Sequence, residues 1–213
     1  ISEMLTSSES SMRDFTLLMT SRFFENDFDA AQIHGNNAIA ADYSFILAHA
    51  QMVDIYLSTS QKQLSDEAFE KVMQNIIRLP EQIQFRMKYS YYLLIEENPE
   101  KAIAVVKMWK DLYPQDIQAY ELAANLYQLK NEPNLAIAEF EEIMKLDPSR
   151  YYNNLSIANL YSSQAKYDEA IKYNKKYADR FPESSDPYLA IGHIYFKLRD
   201  FDLARYNYEK VLM

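Results

Sequence analysis

The chain has 213 residues, 48% of them hydrophobic and 25% charged, a balance ordinary for a folded protein and too apolar for a disordered one. A formal net charge of -9 argues against a nucleic-acid surface or an anionic membrane surface, because phosphate affinity is assembled mainly from Lys and Arg. With no cysteine and only 2 glycines, disulfides and thiolate chemistry are excluded, and little material is left for phosphate-cradling loops or left-handed turns.

Residues 1–11 are serine-rich and read as a linker and helix cap, with Thr6-x-x-Glu9 and Ser11-x-x-Asp14 each fitting a capping box. A helix follows to about Phe24, then a turn at Asn26–Asp27 and a second helix carrying Ala31. Gly35 stands where later units have a bulky residue, so these two helices are expected to pack less closely. The stretch from about 46 to 82 carries His49, Tyr56, Ala68 and Pro80, and it is three residues longer than the units after it. The extra length falls in the polar connection Leu57 to Ser65, the best hinge candidate. In residues 83–116, Asn98-Pro99 starts a helix, Asn as cap and Pro in the first turn, where its missing N–H costs nothing.

From there the spacing is regular. Ala102, Ala136, Ala170 and Ala204 recur every 34 residues, and so do Tyr127, Tyr161 and Tyr195. Residues 117–148 show the pattern in full. Tyr120, Ala123, Ala124 and Tyr127 share one helix face; Ala136, Phe140 and Ile143 share another; Pro148 closes the unit. Aromatic-x2-small residues-x2-Tyr, then Ala-x3-Phe, then Pro, resembles the tetratricopeptide repeat. The resemblance implies an all-α, right-handed superhelical solenoid of about six helix-turn-helix units at about 12–45, 46–82, 83–116, 117–150, 151–184 and 185–213. The array thus spans 12–213, its first unit degenerate, with Met19 and Arg22 in the places of Ala124 and Tyr127. The recurrent alanine has a physical reason: helix axes approach to about 8–10 Å only where the contacting side chains are small. No cap follows Met213 and the chain begins at Ile1, so it reads as part of something longer, its array continuing or docking at that end.

Catalysis is not expected. His34, His49 and His193 have no ligand spacing, so no metal and no cofactor is implied. Glu139, Glu141 and Glu142 read as a solvated helix face, and the sequon Asn154-Leu155-Ser156 falls inside a helix. No apolar run reaches the roughly 18 residues of a membrane span; the richest, Ile39 to Leu57, is interrupted by Asp42, His49 and Asp54. The chain reads as a soluble domain, the cytoplasm favoured among open compartments.

The resemblance implies a concave groove lined by the first helix of each unit. Helical spacing puts Gln118, Glu121, Asn125 and Gln128 on one polar stripe opposite Tyr120, Ala124 and Tyr127. Shifting by 34 residues adds Tyr152, Leu155, Asn159 and Ser162; Asp186, Leu189, His193 and Phe196; and, going back, Gln84, Met87, Tyr91 and Leu94. Tyr91, Asn125, Asn159 and His193 thus form one row able to hydrogen-bond an extended peptide. Family members that clamp acidic chaperone tails use Lys, Asn and Arg there. Here Glu121, Asn125, Ser156, Asp186 and Ala190 stand at those places, so a neutral or basic protein or peptide is the expected partner. The expected function is a protein-interaction scaffold. Two alternatives are a regulatory appendage of a bacterial signalling protein, which Asp42-Tyr43-Ser44-Phe45-Ile46-Leu47-Ala48-His49 and Leu79-Pro80-Glu81 resemble, and a module that self-associates through the array ends.

Overall fold

The computed structural model describes residues 6–211. Residues 1–5 of the expected linker, and 212–213, lie outside them. The described chain is all-α, with twelve α-helices and no strand. It divides into two compact units, Ile1–Val105 and Val106–Met213. The first holds α1 (Glu9–Thr20), α2 (Phe28–Ala41), α3 (Ile46–Ser58), α4 (Lys62–Gln74) and α5 (Glu81–Leu94). The division falls within α6 (Pro99–Leu112); the second unit then holds α7 (Ile117–Leu129), α8 (Pro133–Leu146), α9 (Asn153–Ser163), α10 (Tyr167–Arg180), α11 (Ser185–Lys197) and α12 (Phe201–Lys210). No described helix is long and apolar enough to cross a membrane.

Inside each unit, every helix packs on the one before it and the one after it. In the first, Leu18 of α1, Ala31 of α2, Met52 and Val53 of α3, Phe69 and Val72 of α4, and Met87 of α5 share one core. In the second, Ile137, Phe140 and Ile143 of α8 meet Ile157 and Ala158 of α9, and Ala170 and Ile171 of α10 meet Ile191 and Ile194 of α11. The recurrent alanines Ala31, Ala68, Ala102, Ala136, Ala170 and Ala204 are all buried.

Gly35 corrects an expectation. It does not loosen the first pair of helices but is itself a point of close approach: a β-carbon there would lie 2.1 Å from Met52 Sδ and 2.8 Å from Leu18 Cδ1. The first helix is also capped differently. Ser8 is its N-cap and accepts from the Ser11 amide, while the Ser11 hydroxyl is buried and donates to the Ala38 carbonyl at 2.7 Å. The proposed hinge is likewise mostly helical, because α3 runs to Ser58 and α4 starts at Lys62, leaving only Thr59–Gln61 as connection.

Scarce glycine does not spare the chain left-handed turns. Asn26, Ser60, Glu97, Asn131, Ala165 and Arg199 have φ between 51° and 62°, and each lies in the turn joining the two helices of a pair. After four of these residues the next amide reaches back five positions, as in Gln61 to Tyr56, Glu132 to Tyr127, Lys166 to Tyr161 and Asp200 to Tyr195. After the other two it reaches back six, Asp27 to Ser21 at 2.8 Å and Asn98 to Tyr92 at 2.7 Å. The first and third pairs therefore absorb one extra residue before the turn. In the first pair it takes the form of a π-helical segment, Ser21–Glu25. Matched on these hydrogen bonds, Ser21 and Tyr92, not Arg22 and Leu93, correspond to Tyr127.

Candidate groove and a charged cluster on the first helices

Each turn fixes which side chains its first helix presents, so the groove residues divide according to it. In the second unit Gln118, Asn125, Gln128 and Asp186 are exposed. Asn159 and His193 come together: with Ser162, Asn174, Ala190, Ile194 and Lys197 they line one concavity of about 200 Å3. Asn174 is spent inward, its amide donating to the Ala170 carbonyl at 3.0 Å. His193 is backed by Tyr208, whose ring meets the imidazole edge-on at 5.6 Å. Gly192 makes room for that ring, since a β-carbon there would sit 2.5 Å from Tyr208 Cε1.

Glu121 is not a bare acid. Arg150 donates to its carboxylate at 2.9 Å and to the Tyr152 hydroxyl at 3.0 Å. Arg150 also pairs with Asp147, which the Ser149 hydroxyl, the Ser149 amide and then the guanidinium hold below the usual carboxylate range. The glutamates of α8 are engaged as well: Glu139 is buried and paired with Lys110 at 2.5 Å, and Glu141 accepts from the Tyr173 hydroxyl at 2.6 Å. Those two are not the solvated face expected of them, whereas Glu142 is, its side chain 47% exposed in a surface pair with Lys145. Asn154 of the sequon is buried in α9.

In the first unit the two expected groove residues are used locally. Gln84 donates to the Leu79 carbonyl at 2.9 Å. Tyr91 packs edge-on against Phe69 at 6.1 Å and against Tyr92 at 6.0 Å. Counted from Tyr92, Tyr91 has the register of Leu126, and Ser90 that of Asn125.

The same correction brings three residues that sequence spacing missed into the groove register: Arg22 matches Gln128, Asp54 matches Asn125, and Arg86 matches Glu121. The structure joins them. Arg22 donates to Asp54 Oδ2 at 3.1 Å and to the side-chain Oε1 of Gln51 at 2.6 Å, and Arg86 donates to the same Oδ2. All three charged side chains are less than a fifth exposed. Asp54 was within reach of the sequence, two residues before Tyr56. The two arginines depend on the extra residue in each turn, which spacing does not reveal.

Among the described residues no group of three or more His, Asp or Glu is placed to hold a metal ion. Residues 117–150 and 185–213 match the tetratricopeptide repeat family model. No curated protein matches the sequence. Among solved structures, PilW, a widely conserved type IV pilus biogenesis factor, aligns with a TM-score of 0.76 at 18% identity over 94% of this chain and 91% of its own. PilF of Pseudomonas aeruginosa aligns at 0.67 and 19% identity over 93% and 89%. YrrB, a repeat protein with an unusual peptide-binding site, aligns at 0.56 and 15% over 86% and 98%. At such identities the likeness is one of fold. Taken with the paired helices and their recurrent buried alanine, these matches show that the chain has the tetratricopeptide-repeat fold.

Proposed function

We propose that this chain is a protein-interaction module whose second unit holds an extended peptide segment along the first helices α7, α9 and α11. The observation that carries the reading is the concavity shared by Asn159 and His193. A side-chain amide and an imidazole open on one polar recess, and each offers a donor and an acceptor, the pairing that peptide backbone needs. The charge pattern favours a neutral segment. Glu121 already faces Arg150, so the remaining charges are Asp186, exposed on the first turn of α11, and Lys197 at the recess. A strongly basic ligand would gain little from an acid that is already paired.

The test is selection of a displayed random peptide library on the whole chain, followed by affinity measurement on Asn159→Ala with His193→Ala. Selected peptides should lose about tenfold or more in affinity, roughly 1.4 kcal/mol, while the melting temperature holds. Peptides that bind both forms equally would remove the groove of the second unit as the binding site.

A further inference from the structure

The first unit carries a cluster that the peptide reading of the second does not use. Two guanidiniums, from Arg22 and Arg86, converge on a single carboxylate oxygen of Asp54. Among the described residues neither arginine has an ion pair with any other acid. The cluster therefore holds a surplus positive charge with little access to water, in a chain whose net charge is -9. Charges removed from water are costly unless paired, and guanidinium forks are shaped to take a carboxylate through two parallel hydrogen bonds.

How Arg22 gets there is a second, independent observation. It sits in the π-helical segment Ser21–Glu25, and short π segments of this kind frequently mark functional positions. The same segment leaves Phe23 59% exposed, with the Arg22 guanidinium 4.8 Å from its ring centre, so an apolar wall stands beside the charge. Its own acid, Glu25, accepts from the Ser21 hydroxyl. One turn beyond Asp54 on the same face of α3, Leu57 is 37% exposed and, with Tyr56, Leu94 and Ile95, forms the apolar side of a recess of about 330 Å3 whose other side is Ser60, Lys62, Ser65 and Asp66.

We infer that Arg22 and Arg86 form a receptor for an acidic side chain of a protein partner, and that Asp54 is its built-in competitor. Asp54 occupies the guanidiniums in the absence of ligand and sets a threshold that a single weak acid does not pass. A partner carboxylate binds by sharing or displacing it, with a neighbouring aliphatic residue seated against Leu57. The overall negative charge of the chain opposes an acidic ligand at long range. That opposition is screened beyond about 8 Å at physiological salt, whereas the contact with buried arginines is screened far less. This site belongs to the first unit and stands or falls separately from the peptide groove of the second.

The probe is a fluorescein-labelled pentaglutamate peptide, with pentaglutamine as the neutral control, titrated at physiological salt into the full chain. The substitution Asp54→Asn keeps shape and removes the competing charge. It should tighten glutamate-peptide binding by about tenfold over the parent chain, the factor given by one charge-assisted hydrogen bond, and leave the glutamine peptide unbound. Adding Arg86→Met to Asp54→Asn should abolish the gain. Helicity and melting temperature of each variant establish that it is folded. If Asp54→Asn does not fold, thermal shift of the parent chain decides: stabilisation by the glutamate but not the glutamine peptide, lost in Arg22→Met, supports the receptor. No tightening in a folded Asp54→Asn chain, or a gain that survives loss of Arg86, overturns it. So does a parent chain indifferent to both peptides when Asp54→Asn is unfolded.

Discussion

The ring of Tyr91 meets the ring of Phe69 edge-on at 6.1 Å, so a tyrosine on α5 closes the core left open by the helix before it. Ile194 on α11 does the same over Ile171 on α10, which identifies Tyr91 as a packing residue. Tyr91→Ala should lower stability by about 1–3 kcal/mol, as loss of a half-buried aromatic does. Asn125→Ala, on the exposed register of α7, should stay within about 0.5 kcal/mol. Equal melting temperatures for the two variants would return Tyr91 to the groove.

The two glycines should respond differently to alanine. At Gly35 the new methyl meets Met52 and Leu18, both fully buried, and overpacking of about 1–3 kcal/mol should exceed the roughly 1 kcal/mol that alanine adds to helix propensity. At Gly192 it meets the half-buried ring of Tyr208, which can swing outward, so the net change should be smaller. Urea denaturation of Gly35→Ala and Gly192→Ala gives the order directly. A more stable Gly35→Ala would mean that the core around Met52 yields.

Ala136 is fully buried where α8 crosses α7. Ala136→Phe should cost on the order of 1–3 kcal/mol or more and broaden the melting transition, because stability in a repeat array is a sum of nearest-neighbour contacts. An unchanged thermal melt would remove the register built on the recurrent alanine.

Tyr173 spans two pairs of helices, its hydroxyl donating to Glu141, and burial followed by that bond pushes its ionisation well above the ordinary range. Tyr173→Phe should cost about 1.5–3 kcal/mol near neutral pH, the worth of a bond to a charged acceptor. The unfolded chain loses this phenolic proton first, so the parent's advantage over Tyr173→Phe should shrink as pH rises past about 10. A stability difference that does not change with alkaline pH would count against the bond.

His49 gives the first unit an acid-sensitive component. Burial is the main cause lowering its pKa from the ordinary 6.5, with Lys71 adding to it, against the Tyr43 carbonyl that its Nε2 approaches at 3.0 Å. As pH falls below about 6.5 the unfolded chain takes up a proton that the folded chain resists, so stability drops through that window. Asp42, held low by the hydroxyls of Thr6 and Ser44, loses its contribution only below its ordinary 3.8. His49→Asn should therefore flatten the fall in melting temperature that begins below about pH 6.5 and leave the steeper acid limb in place. An unaltered slope would rule His49 out.

The paired helices were legible from the alanine and tyrosine spacing, because small and bulky residues on fixed faces are what neighbouring helices need. The register of the first helices was legible where one condition held, that every turn spends the same number of residues. It holds in the second unit, where Asn159 and His193 open on one recess. It fails before Asn26 and Glu97, where the chain fits in one residue more, rotates the preceding helix by about 100° in register, and exchanges Tyr91 for Ser90 and Met19 for Leu18. The residue type at the turn does not by itself announce the addition, since asparagine stands in turns of both lengths, at Asn26 and at Asn131. Ion pairs such as Arg22 with Asp54 were hidden for the same reason, as partners 32 residues apart meet only when the register between them is known.

The six turns without glycine also mean that this chain stands below its own ceiling of stability. A residue with a β-carbon in the left-handed region carries about 1–2 kcal/mol of strain, relieved in part at Asn26 and Asn131 and not at all at Ala165. Each hairpin is thus a slightly loaded joint, and the load is distributed evenly along the chain. Ala165→Gly would unload one joint without touching core or groove, and a chain so treated at several turns would be a stiffer scaffold on which partner binding could be measured with less background from fraying repeats.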